Sequence, residues 1–192
     1  SLFLFLLSCL SKAMAVTLPL ILILTDYYVT SKEKLNLKKI LPFMIISILF
    51  IIINLNVAYY KTDLNQYSNF DMLLLVFYSI LFYPFKIIFP VNLSVIYTYP
   101  ESLGLSHYIS PLILFALIAL IKYVKSRFIR FGAMLYFLAI IPVLPILPFG
   151  ISLTADRYAY IPSIGILIVF SLILYSIYQV ISHKMPVYKY LY

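Results

Sequence analysis

Six side chains in this sequence could act together on a charged ligand: Lys12, Lys86, His107, Asp156, Arg157 and Tyr158. Three of them are consecutive, in the stretch TADRYAYIPSIG from Thr154 to Gly165, which lies between apolar segments. An ionised pair next to lipid is costly and is kept where it has a partner, a shield or a task. Asp156 beside Arg157 admits two compatible readings. In one, Asp156 (or Thr154) N-caps the last helix with its carboxylate at the positive end of the dipole, while Arg157 reaches for headgroups. In the other, the guanidinium fork of Arg157 faces a phosphate and Asp156 orients it, at a helix N-terminus that itself favours anions.

The remaining candidates are weighed in the same way. Lys12 interrupts two apolar runs, as a loop lysine or as a phosphate contact. Lys86 falls between Pro84 and Pro90 inside an apolar stretch, a costlier placement. His107 stands at the entrance of an apolar segment, as an interfacial aromatic or as an acid or base. Asp63 and Asp71, in KTDLNQYSNFD, share no geometry that their spacing dictates, so a paired-carboxylate mechanism has no support. There is no Walker loop, dinucleotide fingerprint, paired-histidine metal motif or readable Ser/His/Asp arrangement. Asn92-Leu93-Ser94 matches a glycosylation sequon, a short and common pattern.

Positioning these residues falls to a chain with very few charges. Of its 192 residues 65% are hydrophobic and 10% charged, and the mean hydropathy is +1.07. A soluble domain built this way would lack the polar surface to stay dissolved. The 19 Tyr and 15 Phe, with no Trp, suit interfacial belts and apolar packing. A net charge of +8 would suggest nucleic acid in a soluble protein, but here the basic residues flank apolar spans and read as topology signals and headgroup contacts. The single cysteine, Cys9, excludes an internal disulfide.

Apolar runs of about 20 residues set the expected spans. Residues 2–10 form the tail of a first helix, and 13–29, 40–58, 108–124, 131–147 and 158–181 form five spans. The run 73–89 is ambiguous, because Pro84, Lys86 and Pro90 fall in its second half. If it is re-entrant or interfacial, Lys32, Lys34, Lys38 and Lys39 share a side with Lys122, Lys125, Arg127, Arg130, Lys184 and Lys189, which satisfies the positive-inside rule. Lys12, Lys61, Lys86, Arg157, His107, Asp63, Asp71, Glu101 and Asp156 then lie outside. Pro142, Pro145 and Pro148 disrupt the outer end of 131–147. The expectation is an all-α, polytopic helical membrane protein, a single transmembrane domain over 1–192 with an outward-facing cavity and no soluble domain.

Three stretches occur in an order that resembles one group of membrane enzymes: LSKAMAVTLPLILILTDYY (10–28), FPVNLSVIYTYP (89–100) and TADRYAYIPSIG (154–165). The chain resembles the transmembrane and tetratricopeptide-repeat O-mannosyltransferases and their bacterial relatives, of the GT-C glycosyltransferase superfamily. The third stretch is the most specific and the second is weak alone. The resemblance implies transfer of a sugar from a polyprenyl-phosphate donor to an acceptor hydroxyl on a protein or glycan, at a site facing the periplasm or lumen. It implies that Arg157 and Lys12 contact the donor phosphate, that Asp156 orients Arg157, that Tyr158 lines the entrance, and that His107 and Lys86 have supporting roles. In the relatives the catalytic carboxylate lies in the first outer loop, so the base is expected outside these residues. The chain is then part of a longer protein, inactive alone, and the relatives continue into tetratricopeptide repeats. Ala13 stands where relatives often have Pro. Membrane lipids are expected partners, nucleic acid is not, and no metal or cofactor is called for. A bacterial plasma membrane is the expected location, ahead of the endoplasmic reticulum. Two other classes remain: a transporter, which should carry internal pseudo-repeats that are not visible here, and a non-enzymatic lipid-binding scaffold, which would have no need of Arg157.

Overall fold

A computed structural model describes residues 1–29, 37–59, 67–146 and 152–184. Seven α-helices are present among them: α1 (Leu2–Ser11), α2 (Leu18–Val29), α3 (Leu37–Tyr59), α4 (Asn69–Ile88), α5 (Leu105–Tyr123), α6 (Arg127–Ile140) and α7 (Tyr160–Lys184). Short 3-10 turns precede α2 at Ala13–Thr17, follow α6 at Ile141–Val143 and precede α7 at Asp156–Tyr158. Two short strands, β1 (Tyr97–Thr98) and β2 (Ser152–Thr154), pair antiparallel with Tyr97 opposite Thr154. The described residues are therefore mostly helical, as expected, with the strand ladder and the irregular stretch 89–104 as departures. Lys32, Lys34, Lys61, Asp63, Pro148 and Lys189 lie outside the described residues.

Four helices are long and apolar enough to cross a membrane, over Lys38–Asn56, Asn69–Ile88, Leu105–Tyr123 and Tyr160–Gln179. They point to a membrane protein. Their surfaces agree: Leu41, Ile45 and Ile48 on α3, Leu112 and Leu120 on α5, and Leu167 and Leu174 on α7 are all exposed, while Thr17, Ser79, Ser110 and Thr154 are buried. That inversion is costly in water and natural in hydrocarbon. The expected spans 13–29 and 131–147 are shorter than anticipated. The first begins as a 3-10 turn, with the Thr17 hydroxyl bonded to the Met14 carbonyl at 3.1 Å. The second stops at Ile140, where Pro142 follows at once.

Pro84 and Pro111, unlike Pro142, do not break the helices that hold them. Pro84 sits inside α4 and cannot donate to the Ile80 carbonyl four residues back. The hydroxyl of Tyr136, on α6, donates to that carbonyl instead. Pro111, inside α5, leaves the His107 carbonyl free in the same way, and the Ser110 hydroxyl takes it at 2.7 Å. With the freed acceptors satisfied, α4 runs unbroken to Ile88. It starts at a capping box, with the Ser68 hydroxyl accepting from the Asp71 N–H at 3.2 Å and the Asp71 carboxylate accepting from the Ser68 N–H at 3.0 Å.

The core lies where α4, α6 and the turn after α6 meet, around the buried Tyr83, Tyr136, Ile140 and Leu144, with Tyr158 and Ile166 packed on it. Helices α6 and α7 approach through Gly132 and Gly165. A Cβ added to Gly132 would lie 2.8 Å from the Gly165 carbonyl oxygen. Small residues at such a crossing let backbones meet directly, the usual means of packing helices where lipid surrounds them.

Candidate functional site

Residues from 10–28, 89–100 and 154–165 meet in space around Asp156–Tyr158. From the first, Lys12 occupies the break between α1 and the following 3-10 turn, in extended backbone, with its N–H bonded to the Ser8 carbonyl at 2.9 Å. Its Nζ stands 5.7 Å from the centroid of the Tyr158 ring. From the third, Arg157 places its Cζ 5.2 Å from the same centroid and Nη2 3.5 Å from the Tyr158 hydroxyl. Lys12 and Arg157 are both exposed. Two cations thus converge on one ring, and each keeps most of its hydrogen-bonding capacity for something else.

Asp156 is committed differently. Its Oδ2 accepts from the Ser94 N–H at 2.7 Å and from the Tyr97 hydroxyl at 3.0 Å, both on the second stretch. The expectation that Asp156 orients Arg157 directly is therefore corrected: the two side chains hold different partners, and Asp156 positions the turn rather than the guanidinium. The helix-cap reading is corrected too. Residues Asp156–Tyr158 form a 3-10 turn, α7 begins only at Tyr160, and Thr154 lies in β2 with its hydroxyl buried and lacking a hydrogen-bond partner. Pairing of β1 with β2 carries Tyr97 to Asp156, and the Ala155 N–H reaches the buried Tyr83 hydroxyl at 3.4 Å. Burial, and then the hydrogen bond to Asp156, raise the Tyr97 hydroxyl pKa above its ordinary value of 10.0.

Lys86 is spent within the fold. Its Nζ donates to the Val91 and Asn92 carbonyls at 2.5 and 3.0 Å and stands 5.5 and 5.3 Å from the Phe82 and Tyr97 rings. Asn92 turns the chain at φ 51°, in the left-handed region that Asn tolerates better than most residues. The costly lysine of the sequence is thus a clasp that folds the segment after α4 back onto the helix. His107 accepts the Gly104 N–H on Nδ1 at 3.2 Å and stacks on Tyr78 with centroids 4.3 Å apart. Among the described residues, the rings of Tyr78, Phe82 and Tyr97 connect it to the site. The structure brings together Lys12, Asp156, Arg157 and Tyr158, with Lys86 one tyrosine away, and leaves His107 as a helix-start residue.

Reading the residues alone missed Tyr97, Ser94 and Tyr83. The signal was faint: FPVNLSVIYTYP was the weakest of the three stretches, and its link to Asp156 spans about sixty positions. No family model, curated protein or solved structure matches the chain.

Proposed function

We propose that this chain is the central-to-late part of a GT-C type membrane glycosyltransferase, in which Arg157 and Lys12 bind the phosphate of a polyprenyl-phosphate sugar. The observation that carries the reading is the meeting of Lys12, from the first stretch, with Ser94 and Tyr97 from the second and Asp156–Tyr158 from the third, with two exposed cations on Tyr158. In the transfer, an acceptor hydroxyl attacks the anomeric carbon, the bond from that carbon to the phosphate oxygen breaks, and polyprenyl phosphate leaves with the electron pair. A carboxylate outside these residues takes the acceptor proton. Arg157 and Lys12 stabilise the charge that grows on the departing phosphate, where fixed cations are most effective. The site faces the periplasm of a bacterial plasma membrane.

On this reading α4 lies along the outer surface, although it is long enough to cross. One irregular segment touches both of its flanks: Lys86 near its end is bonded to Val91 and Asn92, and Tyr67 before its start donates to the Pro100 carbonyl. Residues 91–96 are exposed, and exposed irregular backbone is not tolerated inside hydrocarbon. In a Cys9→Ser background, single cysteines at Phe70 and Phe89 are then both labelled by an impermeant maleimide from the outer side. Labelling of the two from opposite sides makes α4 a span.

The activity test is Arg157→Ala in the complete protein that contains this chain, assayed with a polyprenyl-phosphate hexose. Transfer falls about 100-fold, the scale of losing one donor to a developing oxyanion, while expression and thermal stability hold. Unchanged transfer removes the phosphate role; loss of transfer and folding together assigns Arg157 to structure.

A further inference from the structure

The opposite end of the molecule holds a second feature that sugar transfer does not use. Where the end of α2, the end of α5 and the start of α6 meet, a cavity of about 400 Å³ opens to the surface. Ile118 and Ile121 line it from α5, and Met134 and Phe137 from α6. Lys122 and Arg130 line it too, one from α5 and one from α6, and both are exposed. Among the described residues, no carboxylate lines it. The acid nearest in sequence, Asp26, is exposed on α2 two residues before the lining Tyr28.

Its α2 wall is built and held. The Tyr28 hydroxyl donates to the Met134 sulfur at 3.4 Å, and its ring packs on Phe131 with centroids 5.5 Å apart. Arg127 lies over Tyr28 with Cζ 5.6 Å from the centroid, and its Nη2 donates to the Tyr27 carbonyl at 2.9 Å. Arg127 is thereby occupied with joining α6 to α2. Lys122 and Arg130 are left as the cations that face the cavity from two helices.

We propose that this groove binds an anionic glycerophospholipid, with an acyl chain against Ile118, Ile121, Met134 and Phe137 and the headgroup phosphate between Lys122 and Arg130. Charge complementarity selects the occupant. An apolar lining alone would accept any lipid tail, whereas two cations, with no carboxylate lining the groove among the described residues, favour a headgroup carrying net negative charge, and basic pockets between helices bind such lipids. The inference rests on the membrane placement of the chain and is independent of sugar transfer.

The chain has no tryptophan, so Phe137→Trp places a fluorophore in the groove. The protein is reconstituted in vesicles of phosphatidylcholine containing equal fractions of brominated phosphatidylglycerol or brominated phosphatidylcholine. The change in emission relative to the unsubstituted protein is the readout. Quenching favours the brominated anionic lipid by about fivefold or more, the scale of one or two basic contacts near a surface. Lys122→Gln with Arg130→Gln brings the ratio to one, while Lys125→Gln, at a residue outside the lining, leaves it unchanged. Ile118→Trp repeats the measurement should the first reporter perturb folding. Equal quenching by both lipids in the charged protein overturns the proposal. So does an equal loss with Lys125→Gln, which would mean general surface attraction, or erasure of the preference by millimolar inorganic phosphate, which would mean a site for soluble anions.

Discussion

At the Arg157 end, cations are organised by aromatic rings and a strand ladder: Lys12 and Arg157 share Tyr158, Lys86 is held by two carbonyls and two rings, and Asp156 is fixed by Ser94 and Tyr97. At the Lys122 end, Lys122 and Arg130 stand on the rim of an apolar groove, and only Arg127 is tied to another helix. The residue types are alike and the surroundings are opposite. A rigid polar network suits recognition of a ligand in one orientation, because little has to be ordered when the ligand arrives. Loosely held cations above a greasy surface suit a headgroup that exchanges with its neighbours. Charge alone therefore does not distinguish a site from an anchor; the partners that hold each charge do.

The largest way to break this contrast is to separate the helices that run between the two ends. A Cβ at Gly165 would collide with the Gly132 carbonyl oxygen and lie 2.7 Å from the Tyr136 backbone nitrogen. Both are backbone atoms that cannot turn aside, unlike the end of a flexible side chain. Gly165→Ala is expected to cost about 3 kcal/mol, the upper part of the range for overpacking. Thermal unfolding in detergent should show it, and both ends should suffer together. Unchanged stability would mean that α6 and α7 slide apart without loss, and that the contrast does not depend on their close approach.

A smaller change breaks only one end. Tyr136→Phe leaves the Ile80 carbonyl without the hydroxyl that replaces the N–H missing at Pro84. An unsatisfied buried acceptor costs about 1–3 kcal/mol. Pro84→Ala restores an N–H to α4, so the tyrosine substitution should cost much less in that background. A double-mutant cycle on thermal stability measures the coupling. Lipid preference at the Lys122 groove should persist in all four proteins. If the two substitutions add independently, the hydroxyl is not doing the work of the missing amide.

That proline also shows how much was legible in the sequence. Long apolar runs gave α3, α5 and α7 within a few residues, because hydrocarbon leaves the backbone little choice but to satisfy itself. Pro142 was legible as a helix end. Pro84 left the run 73–89 ambiguous, since its remedy is the Tyr136 hydroxyl, 52 positions away on another helix. Lys86 stood out in the sequence as a costly placement, and its partners, the Val91 and Asn92 carbonyls, belong to a turn at the φ of Asn92 that no local pattern marks. Asp156 and Arg157 were singled out by adjacency, which suggested a pair, whereas a two-residue strand too short to read by periodicity draws Asp156 to Tyr97. Lys12 and Arg157 stood out by their placement beside apolar runs, the resemblance assigned them to one phosphate, and only packing brings them onto one ring.

The smallest effect separates the two ends by pH. The Tyr97 hydroxyl is raised above 10.0, so the folded protein holds this proton more tightly than the unfolded chain. Its contribution is complete below about pH 10, where the phenol is neutral in both states. It is lost as pH rises through the higher folded value, when a phenolate would stand beside the Asp156 carboxylate. Because the pair is partly open to water, Tyr97→Phe should cost about 1 kcal/mol near neutrality. Comparing melting temperatures of the two proteins from pH 8 upward tests the sign: the gap should stay constant to about pH 10 and then close. The lipid preference set by Lys122 and Arg130 should be the same in both proteins at neutral pH, since Tyr97 lies at the other end. A gap that widens in alkali would mean that the phenolate is favoured in the fold, and the hydrogen bond to Asp156 would have to be abandoned.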